Sequence, residues 1–394
     1  MDLSQSWQTT LQPLASEAPV HATLILSELS ARADRAFLGM PVALRVALSL
    51  AQAGVTELSV YGPRARVLSL LEQLRADSRL RLPLREHAPD VPIDVVCHED
   101  AWIAPERVRE LGLGEAVLDA RGEPALLRVR PTCAEDPLAL LVSAADSGKR
   151  QPGALRLRHA DDQREASRQL FAALIKPSDG PVSRHLNRHV SRAITRLVLP
   201  LGMTPNTMTV FVALTGLAGA YCASFPSPAL QLLGAALYQF HSIIDGCDGE
   251  IARLTQRFGK HGALIDSVVD DVCNAAFFFG LSLGVARLYE SSWPLATGTL
   301  TAVAYAGVIA LQYGVVLHAT GRGDKTKFWA PPSAERPSVF GVFKALLRRD
   351  VFVLLILIAV ALGLQQAAVA LFPLAALGAL VASSVRLLQS KGTA

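Results

Sequence analysis

The second half of the chain is a series of long apolar stretches joined by short polar connections, and this feature restricts the fold most. A helix of roughly 20 residues crosses about 30 Å of hydrocarbon, and most of these stretches reach that length. We therefore predict an all-α domain of six transmembrane helices. The expected spans lie at about residues 206–225, 229–252, 262–286, 294–318, 350–365 and 367–388, the fifth being short.

Residues 1–180 differ, because they mix charged and apolar residues as a soluble globular domain does. The chain has 394 residues, of which 51% are hydrophobic, so it is too apolar for an ordinary soluble protein and long enough for two domains. Short apolar segments alternate with helical patterns, which predicts a largely parallel α/β sheet. We expect strands at Ala22–Ser27, Glu57–Gly62, Pro92–Cys97, Glu115–Ala120 and Ala125–Val129, and helices at Val42–Ala53 and Arg64–Ala76.

A cluster of helix-breaking residues separates the two halves. Asp161–Leu174 has the pattern of one amphipathic helix, and it leads to the breakers of Lys176–Gly180. We expect a soluble α/β domain at 1–175, a linker with an interfacial helix at 176–203, and the six-helix membrane domain at 204–390.

The expected interfacial helix, Ser183–Leu199, carries arginines at four-residue intervals and apolar residues toward another face. This pattern is typical of an amphipathic helix lying in the cytoplasmic interface of a membrane. Its arginines either hold the helix at anionic headgroups or bind substrate phosphates. Arg184 and Arg188 are the candidate contacts for an acceptor phosphate.

The distribution of charge favours a membrane protein over a nucleic-acid-binding one. The formal net charge of +4 is too small to indicate a nucleic-acid partner, and Lys and Arg gather after the second apolar stretch and before the fifth. By the positive-inside rule, both termini are expected in the cytoplasm. Met1–Ala18 lacks the pattern of a signal peptide. The five cysteines include no C-x-x-C pair, so neither a zinc site nor a disulfide framework is expected.

Two pairs of aspartates interrupt the second and third apolar stretches. Asp245 and Asp248 are three residues apart, and Asp266 and Asp270 are four apart, so each pair shares one face of its helix. A carboxylate at the centre of a membrane helix costs roughly 2.5 to 3.5 kcal/mol, and no equal number of basic residues lies in the same stretches. Two divalent cations would neutralise the aspartates, and Mg²⁺ or Mn²⁺ prefers such oxygen ligands.

Small residues and one arginine follow the second aspartate. Gly249 and Ala252 leave room for a bulky group against the helix, and Arg253 lies one turn beyond Gly249. The planar guanidinium suits bidentate phosphate binding, so we expect a nucleotide diphosphate along this face. Gly262 would open space on the opposite helix, although such glycines also serve helix packing.

The order and spacing of these residues resemble the signature of the CDP-alcohol phosphotransferases. The matching positions are Asp245, Asp248, Gly249, Ala252, Arg253, Gly262, Asp266 and Asp270. The resemblance extends to Thr204–Asn206 and Thr209 and covers about residues 176–390. It implies transfer of a substituted phosphate from a CDP-linked alcohol to a hydroxyl acceptor, with release of CMP, by a homodimer in a lipid membrane.

The resemblance also implies a role for each motif residue. Asp245, Asp248 and Asp266 would bind two divalent ions, and Asp270 would complete this site and act as general base. The nucleotide site would be lined by Gly249, Ala252, Arg253, Gly262, Asn206 and Thr209. The sequence leaves open whether the adjacent Asp271 faces the site.

Further residues resemble the branch of the family that includes di-myo-inositol-phosphate phosphate synthases, namely Lys176–Gly180, Ser183–Arg184, Asn187–Arg188 and Asp245–Glu250. That resemblance implies a nucleotidyltransferase-like head. Here, however, Ser27–Arg35 stands where a glycine-rich phosphate loop is expected. Without glycine the backbone does not easily wrap a triphosphate. We therefore expect a degenerate head that stabilises, regulates or delivers substrate, with Arg32 and Arg35 as ordinary surface charges.

Three functions remain open on the sequence alone. The first uses a CDP-alcohol and an acceptor such as inositol phosphate or another polyol phosphate. The second is a phospholipid synthase that uses CDP-diacylglycerol. The third, from another class, is a cation transporter that conducts through the aspartate cluster. His241 and His261 are expected to be helix-end or surface residues rather than metal ligands.

Overall fold

The computed structural model describes residues 20–26, 36–119, 121–147, 151–152, 155–176, 179–259, 262–320 and 348–391. Met1–Ala18, Ser27–Arg35 and His261, on which predictions were made, lie outside the described residues. The chain forms two compact units, Met1–Lys176 with Leu254–Gln256, and Pro177–Arg253 with Arg257–Ala394. The first contains the sheet and the second contains the long helices.

The first unit is an α/β structure, as the alternation of short apolar segments and helical patterns predicts. Its strands are β1 His21–Ile25, β2 Ala36–Phe37, β3 Met40–Pro41, β4 Glu57–Tyr61, β5 Leu84–Glu86, β6 Pro92–His98, β7 Ala101–Trp102, β8 Ala116–Leu118, β9 Pro124–Cys133, β10 Gln151–Pro152 and β11 Leu155–Arg156. Its helices are α1 Val42–Ala53, α2 Arg64–Ala76, α3 Pro105–Glu110, α4 Pro137–Ser147 and α5 Ala160–Ala172. Helices α1 and α2 begin and end at the predicted residues.

Within the described residues, seven strands form one sheet in the order β10-β8-β9-β6-β1-β4-β5. Strand β1 is parallel to β4 and β6, and β4 is parallel to β5, as expected. Strand β9 departs from the predicted parallel arrangement, because it is antiparallel to both β6 and β8. Strands β8 and β9 follow each other through a tight turn, where Asp119 accepts backbone hydrogen bonds from Arg121 and Glu123. A parallel crossover needs a longer connection.

The second unit is helical. A π-helical turn at Ser183–Asn187 leads into α6 Arg188–Val198, and longer helices follow. These are α7 Pro205–Ala223, α8 Pro228–Thr255, α9 Gly262–Leu288, α10 Trp293–Thr320, α11 Arg349–Ala361 and α12 Gln365–Lys391.

Three segments of the described helices are long and apolar enough to cross a membrane: Pro205–Ala223, Leu264–Leu288 and Trp293–Leu311. Three of the six predicted spans thus coincide with helices of sufficient length and apolar composition, and the other three stay a prediction. Helix α8 carries several charged residues in its second half, and α11 has only 13 residues. Helix α12 contains a shorter apolar segment, Gln365–Gly378.

Helices α7, α8 and α9 pack with their backbones in close contact. A Cβ atom added at Gly234 of α8 would lie 2.6 Å from the carbonyl oxygen of Gly219 on α7. One added at Gly280 of α9 would lie 2.5 Å from the carbonyl oxygen of Ala220. Small residues permit such close approach between membrane helices. This packing brings together the three helices that carry the predicted metal and nucleotide residues.

Candidate active site

The four motif aspartates lie on facing parts of α8 and α9. Asp245 and Asp248 come from α8, and Asp266 and Asp270 come from α9. The carboxyl groups of Asp248 and Asp266 lie close to each other. Thr209 of α7 donates a hydrogen bond from its hydroxyl to Asp248 Oδ2 at 2.9 Å. The structure therefore brings together the two pairs of aspartates and one residue of the first predicted span.

A fifth charged residue, Arg349 at the start of α11, inserts into this cluster. Its guanidinium donates to both carboxylate oxygens of Asp270, with Nη2 at 3.0 Å from Oδ1. Nη1 also lies 3.4 Å from Asp245 Oδ2. Sequence reasoning missed this residue, because Arg349 lies far from the motif and was counted among the basic residues that set membrane orientation. The cation that the apolar stretches themselves lack comes from another helix.

His241 of α8 is part of the same cluster, and the prediction that it is a helix-end or surface residue is wrong. Its side chain is fully buried. Nδ1 lies 2.9 Å from the carbonyl oxygen of Val212, and Nε2 lies 3.0 Å from Arg349 Nη2. The ring is also stacked parallel to that of Tyr238. A polar side chain is stable in this buried position because its ring nitrogens have hydrogen-bond partners.

The donor set of the cluster fits a divalent cation. Within the described part of the chain, Asp245 Oδ1 is buried and has no hydrogen-bond partner, and one guanidinium cannot balance four carboxylates. Carboxylate oxygens are the ligands that Mg²⁺ and Mn²⁺ prefer. As the side chains stand, however, no group of three His, Cys, Asp or Glu residues in the described part of the chain could hold a metal ion. Arg349 bridges Asp245 and Asp270 at this position.

Arg253 lies against Gly249 on α8, where the sequence predicts the nucleotide site. A Cβ atom added at Gly249 would lie 3.3 Å from Arg253 Nη1. The Nε and Nη2 atoms of Arg253 are buried and have no hydrogen-bond partner among the residues that the structure describes. Buried guanidinium nitrogens without partners are costly, so this geometry suits an anionic ligand. The assignment of Arg253 to a phosphate remains a prediction.

The other predicted nucleotide residues differ in their surroundings. Asn206 is exposed and Ala252 is half-buried, whereas Thr209 is buried and bonded to Asp248. A Cβ atom added at Gly262 would meet nothing within 4 Å among the described residues. Its role in leaving room for a ligand stays a prediction.

The two candidate acceptor-phosphate arginines also differ. Arg184 is exposed. Arg188 donates to Asp179 at 3.0 and 3.1 Å and to Glu250 at 3.1 Å. Burial alone would lower the pKa of Arg188, but Asp179 and Glu250 raise it above its ordinary value. Its guanidinium is thus engaged by two carboxylates of the protein, which weakens the case for phosphate binding by Arg188.

Asp271 is directed to α10 rather than to the other aspartates. Its carboxylate accepts hydrogen bonds from Tyr305 at 2.9 Å and Tyr313 at 3.1 Å. Tyr305 in turn accepts from Asn274 of α9 at 3.0 Å. Side chains at neighbouring positions on a helix point about 100° apart, so Asp271 and Asp270 face different directions. Whether Asp271 faces the site, which the sequence leaves open, is thus answered by its contacts with α10.

Residues 202–388 match the family of CDP-alcohol phosphatidyltransferases. This segment is a CDP-alcohol phosphatidyltransferase domain. The domain includes all the described helices from α7 to α11 and nearly all of α12. The match thus agrees with the family resemblance that the aspartate motif carries.

Individual relatives of this CDP-alcohol phosphatidyltransferase domain match over similar regions. The bifunctional IPC transferase and DIPP synthase of Archaeoglobus fulgidus is 34% identical over 187 residues, 47% of this chain and 33% of that protein. Its namesake in Aquifex aeolicus is 41% identical over 124 residues, 31% of this chain and 28% of that protein. The phosphatidylinositol phosphate synthase of Mycobacterium tuberculosis is 30% identical over 115 residues, 29% of this chain and 52% of that protein. The chain thus spans about a third or less of the bifunctional relatives' length.

Proposed function

We propose that this chain transfers a substituted phosphate from a CDP-alcohol to a hydroxyl acceptor and releases CMP. The observation that supports this most is the meeting of Asp245 and Asp248 with Asp266 and Asp270 inside a CDP-alcohol phosphatidyltransferase domain. The four aspartates would hold two Mg²⁺ or Mn²⁺ ions. When bound, such ions supply positive charge that stabilises the reacting phosphate and its leaving group.

Individual residues of the chain would bind the donor substrate and accept the proton. Arg253, with its buried unpartnered Nε and Nη2, would bind the diphosphate of the CDP-alcohol. The acceptor oxygen bonds to phosphorus while the bond between phosphorus and the departing CMP oxygen breaks. Asp270 would accept the proton of the acceptor hydroxyl on a carboxylate oxygen. That oxygen must first be released by Arg349.

The names of the relatives support a phosphorylated polyol as the acceptor. Relatives include an archaetidylinositol phosphate synthase of Pyrococcus horikoshii and the mycobacterial phosphatidylinositol phosphate synthase. We propose inositol phosphate or another polyol phosphate, with Arg184 as the candidate contact for its phosphate. Because these two relatives are named for lipid products, a synthase that uses CDP-diacylglycerol is the second candidate.

We further propose that the long helices form six transmembrane spans in a homodimer, with the site and both termini in the cytoplasm. The amphipathic helix α6 would lie in the interface, since Val190 and Leu197 expose apolar side chains between its arginines. The division into 1–175, 176–203 and 204–390 belongs to the same proposal.

The head is proposed to be a degenerate nucleotidyltransferase-like domain. Ligands of open α/β sheets bind outside the carboxyl ends of the strands, at the point where the strand order reverses. At the end of β6, Asp100 is paired with Arg156 at 2.6 Å and with Arg158 at 2.7 Å. Burial works to raise the pKa of Asp100, but the two arginines outweigh it and hold the pKa below its ordinary value. A carboxylate already neutralised by two arginines is poorly suited to a metal.

The test is to incubate the purified chain with CDP-inositol or CDP-diacylglycerol, a polyol phosphate and Mn²⁺, and to identify products by mass spectrometry. We expect CMP and a phosphodiester product from one donor. Asp270→Asn should abolish CMP release, whereas the neighbouring Asp271→Asn should retain it. Ion flux through proteoliposomes without nucleotide turnover would support the transporter instead, and metal-independent CMP release by Asp266→Ala would contradict the mechanism.

A further inference from the structure

The Arg349 guanidinium occupies the oxygens that a metal ion in the aspartate cluster would need. Both of its terminal nitrogens donate to the Asp270 carboxylate, and Nη1 also lies 3.4 Å from Asp245 Oδ2. It therefore bridges an aspartate of α8 and an aspartate of α9. A divalent ion bound to the same two carboxylates would face the full positive charge of this guanidinium within a few ångströms.

The position of Arg349 is fixed from two sides. His241 donates from Nδ1 to the Val212 carbonyl, which leaves Nε2 as the acceptor for Arg349 Nη2 at 3.0 Å. The next residue, Asp350, accepts a hydrogen bond from the backbone N–H of Ser183 at 2.8 Å. The backbone of α11 is thus held at its first turn, so release of the carboxylates would require rotation of the Arg349 side chain.

We propose that Arg349 is an internal counter-ion that competes with the divalent cation for Asp245 and Asp270. This inference rests on the proposed metal site and adds a residue that no motif of the sequence contains. Without metal, Arg349 offsets part of the repulsion among the four carboxylates, which would otherwise destabilise the helix pair. Metal binding requires the guanidinium to leave both carboxylates, and its departure also frees Asp270 to accept a proton.

The test compares Arg349→Gln with the matched control Arg348→Gln in the full chain, purified in detergent without nucleotide. Both variants lose one positive charge, but the ion pair that the structure shows for Arg348 is with Asp350, at 3.5 Å. Mn²⁺ affinity is measured by electron paramagnetic resonance of the free ion, and thermal unfolding is followed with and without Mn²⁺.

We expect Arg349→Gln to bind Mn²⁺ at least about tenfold more tightly than the wild type, because it removes a competing charge. Its metal-free melting temperature should fall, and Mn²⁺ should restore the loss. Arg348→Gln should match the wild type in both measurements. Equal or weaker Mn²⁺ binding by Arg349→Gln, or the same gain in Arg348→Gln, would overturn the proposal.

If Arg349→Gln does not fold without metal, it is folded and purified with Mn²⁺, and its Mn²⁺ affinity is measured by competition with a chelator. An increase in Mn²⁺ affinity supports the proposal, and an unchanged affinity overturns it. Wild-type CMP release is assayed in the same preparation with Mn²⁺. If the wild type releases CMP but the Mn²⁺ affinity of the variant is unchanged, only the proposed role of Arg349 is contradicted. If the wild type neither binds Mn²⁺ nor releases CMP, the proposed function itself is contradicted.

Discussion

Arg188 of α6 donates a hydrogen bond to the fully buried carboxylate of Glu250 on α8, at 3.1 Å. Glu250 also accepts from Ser191 and Thr195 of α6, each at 2.7 Å. Gly246 lies directly beneath the Arg188 guanidinium, where a side chain would collide with it. The amphipathic helix is thus fixed to α8 within one to two turns of the aspartates.

Arg188→Met should destabilise the protein strongly, because it leaves the Glu250 and Asp179 carboxylates without their shared cation. Removing one partner of a buried ion pair costs about 3–5 kcal/mol. Denaturant unfolding in mixed micelles measures the loss. Arg196→Met, at an exposed position of the same helix, is the control and should change stability by less than about 0.5 kcal/mol. Equal stability of the two variants would contradict a structural role for Arg188.

Arg253→Lys should weaken CMP binding about 10- to 100-fold, because an ammonium group cannot supply the bidentate contact of the buried guanidinium. Isothermal titration of CMP in the presence of Mn²⁺ measures the affinity. Arg257→Lys, at an exposed position one turn further on, should leave it unchanged. Full affinity in Arg253→Lys would remove this residue from the nucleotide site.

Two glycines of α9 should respond differently to alanine. At Gly280 the added methyl would lie 2.5 Å from the Ala220 carbonyl oxygen, so Gly280→Ala should cost about 1–3 kcal/mol of stability. At Gly262 no described residue lies within 4 Å of the added methyl, so Gly262→Ala should fold normally and instead raise the KM for the CDP-alcohol. Thermal unfolding and steady-state kinetics on both variants separate the two effects. An unchanged KM in Gly262→Ala would contradict the open-space role.

His98 should make the head less stable as the pH falls from 6.5 to 4.5. Burial, with a further contribution from Arg156, lowers the pKa of His98 to about 3. At a pH between the folded-state pKa of about 3 and the ordinary pKa of about 6.5, His98 is protonated in the unfolded chain but not in the folded one. The free energy of unfolding therefore falls by up to about 1.4 kcal/mol for each unit by which the pH is lowered. Amide hydrogen exchange of strand β6 in the full chain measures this. His98→Gln should flatten the dependence, and an unchanged slope would exclude His98 as its source.

The sequence by itself determined those features that depend on neighbours along the chain. Helices α1 and α2 have their predicted bounds, and the spacings of Asp245 to Asp248 and of Asp266 to Asp270 place each pair on one helix face. Such features follow from a period of 3.6 residues and from local breakers. The parallel pairing of β1 with β4 also follows from a short βαβ unit.

Only the tertiary structure decided which distant groups meet. Arg349 is 79 residues from Asp270 and 104 from Asp245, and Arg188 is 62 residues from Glu250. No local pattern couples residues so far apart, because their contact depends on how α6, α8, α9 and α11 pack. The buried position of His241 and the direction of Asp271 toward α10 are set in the same way. The sequence placed four carboxylates on two helices, and the packing of a third helix supplied the cation between them.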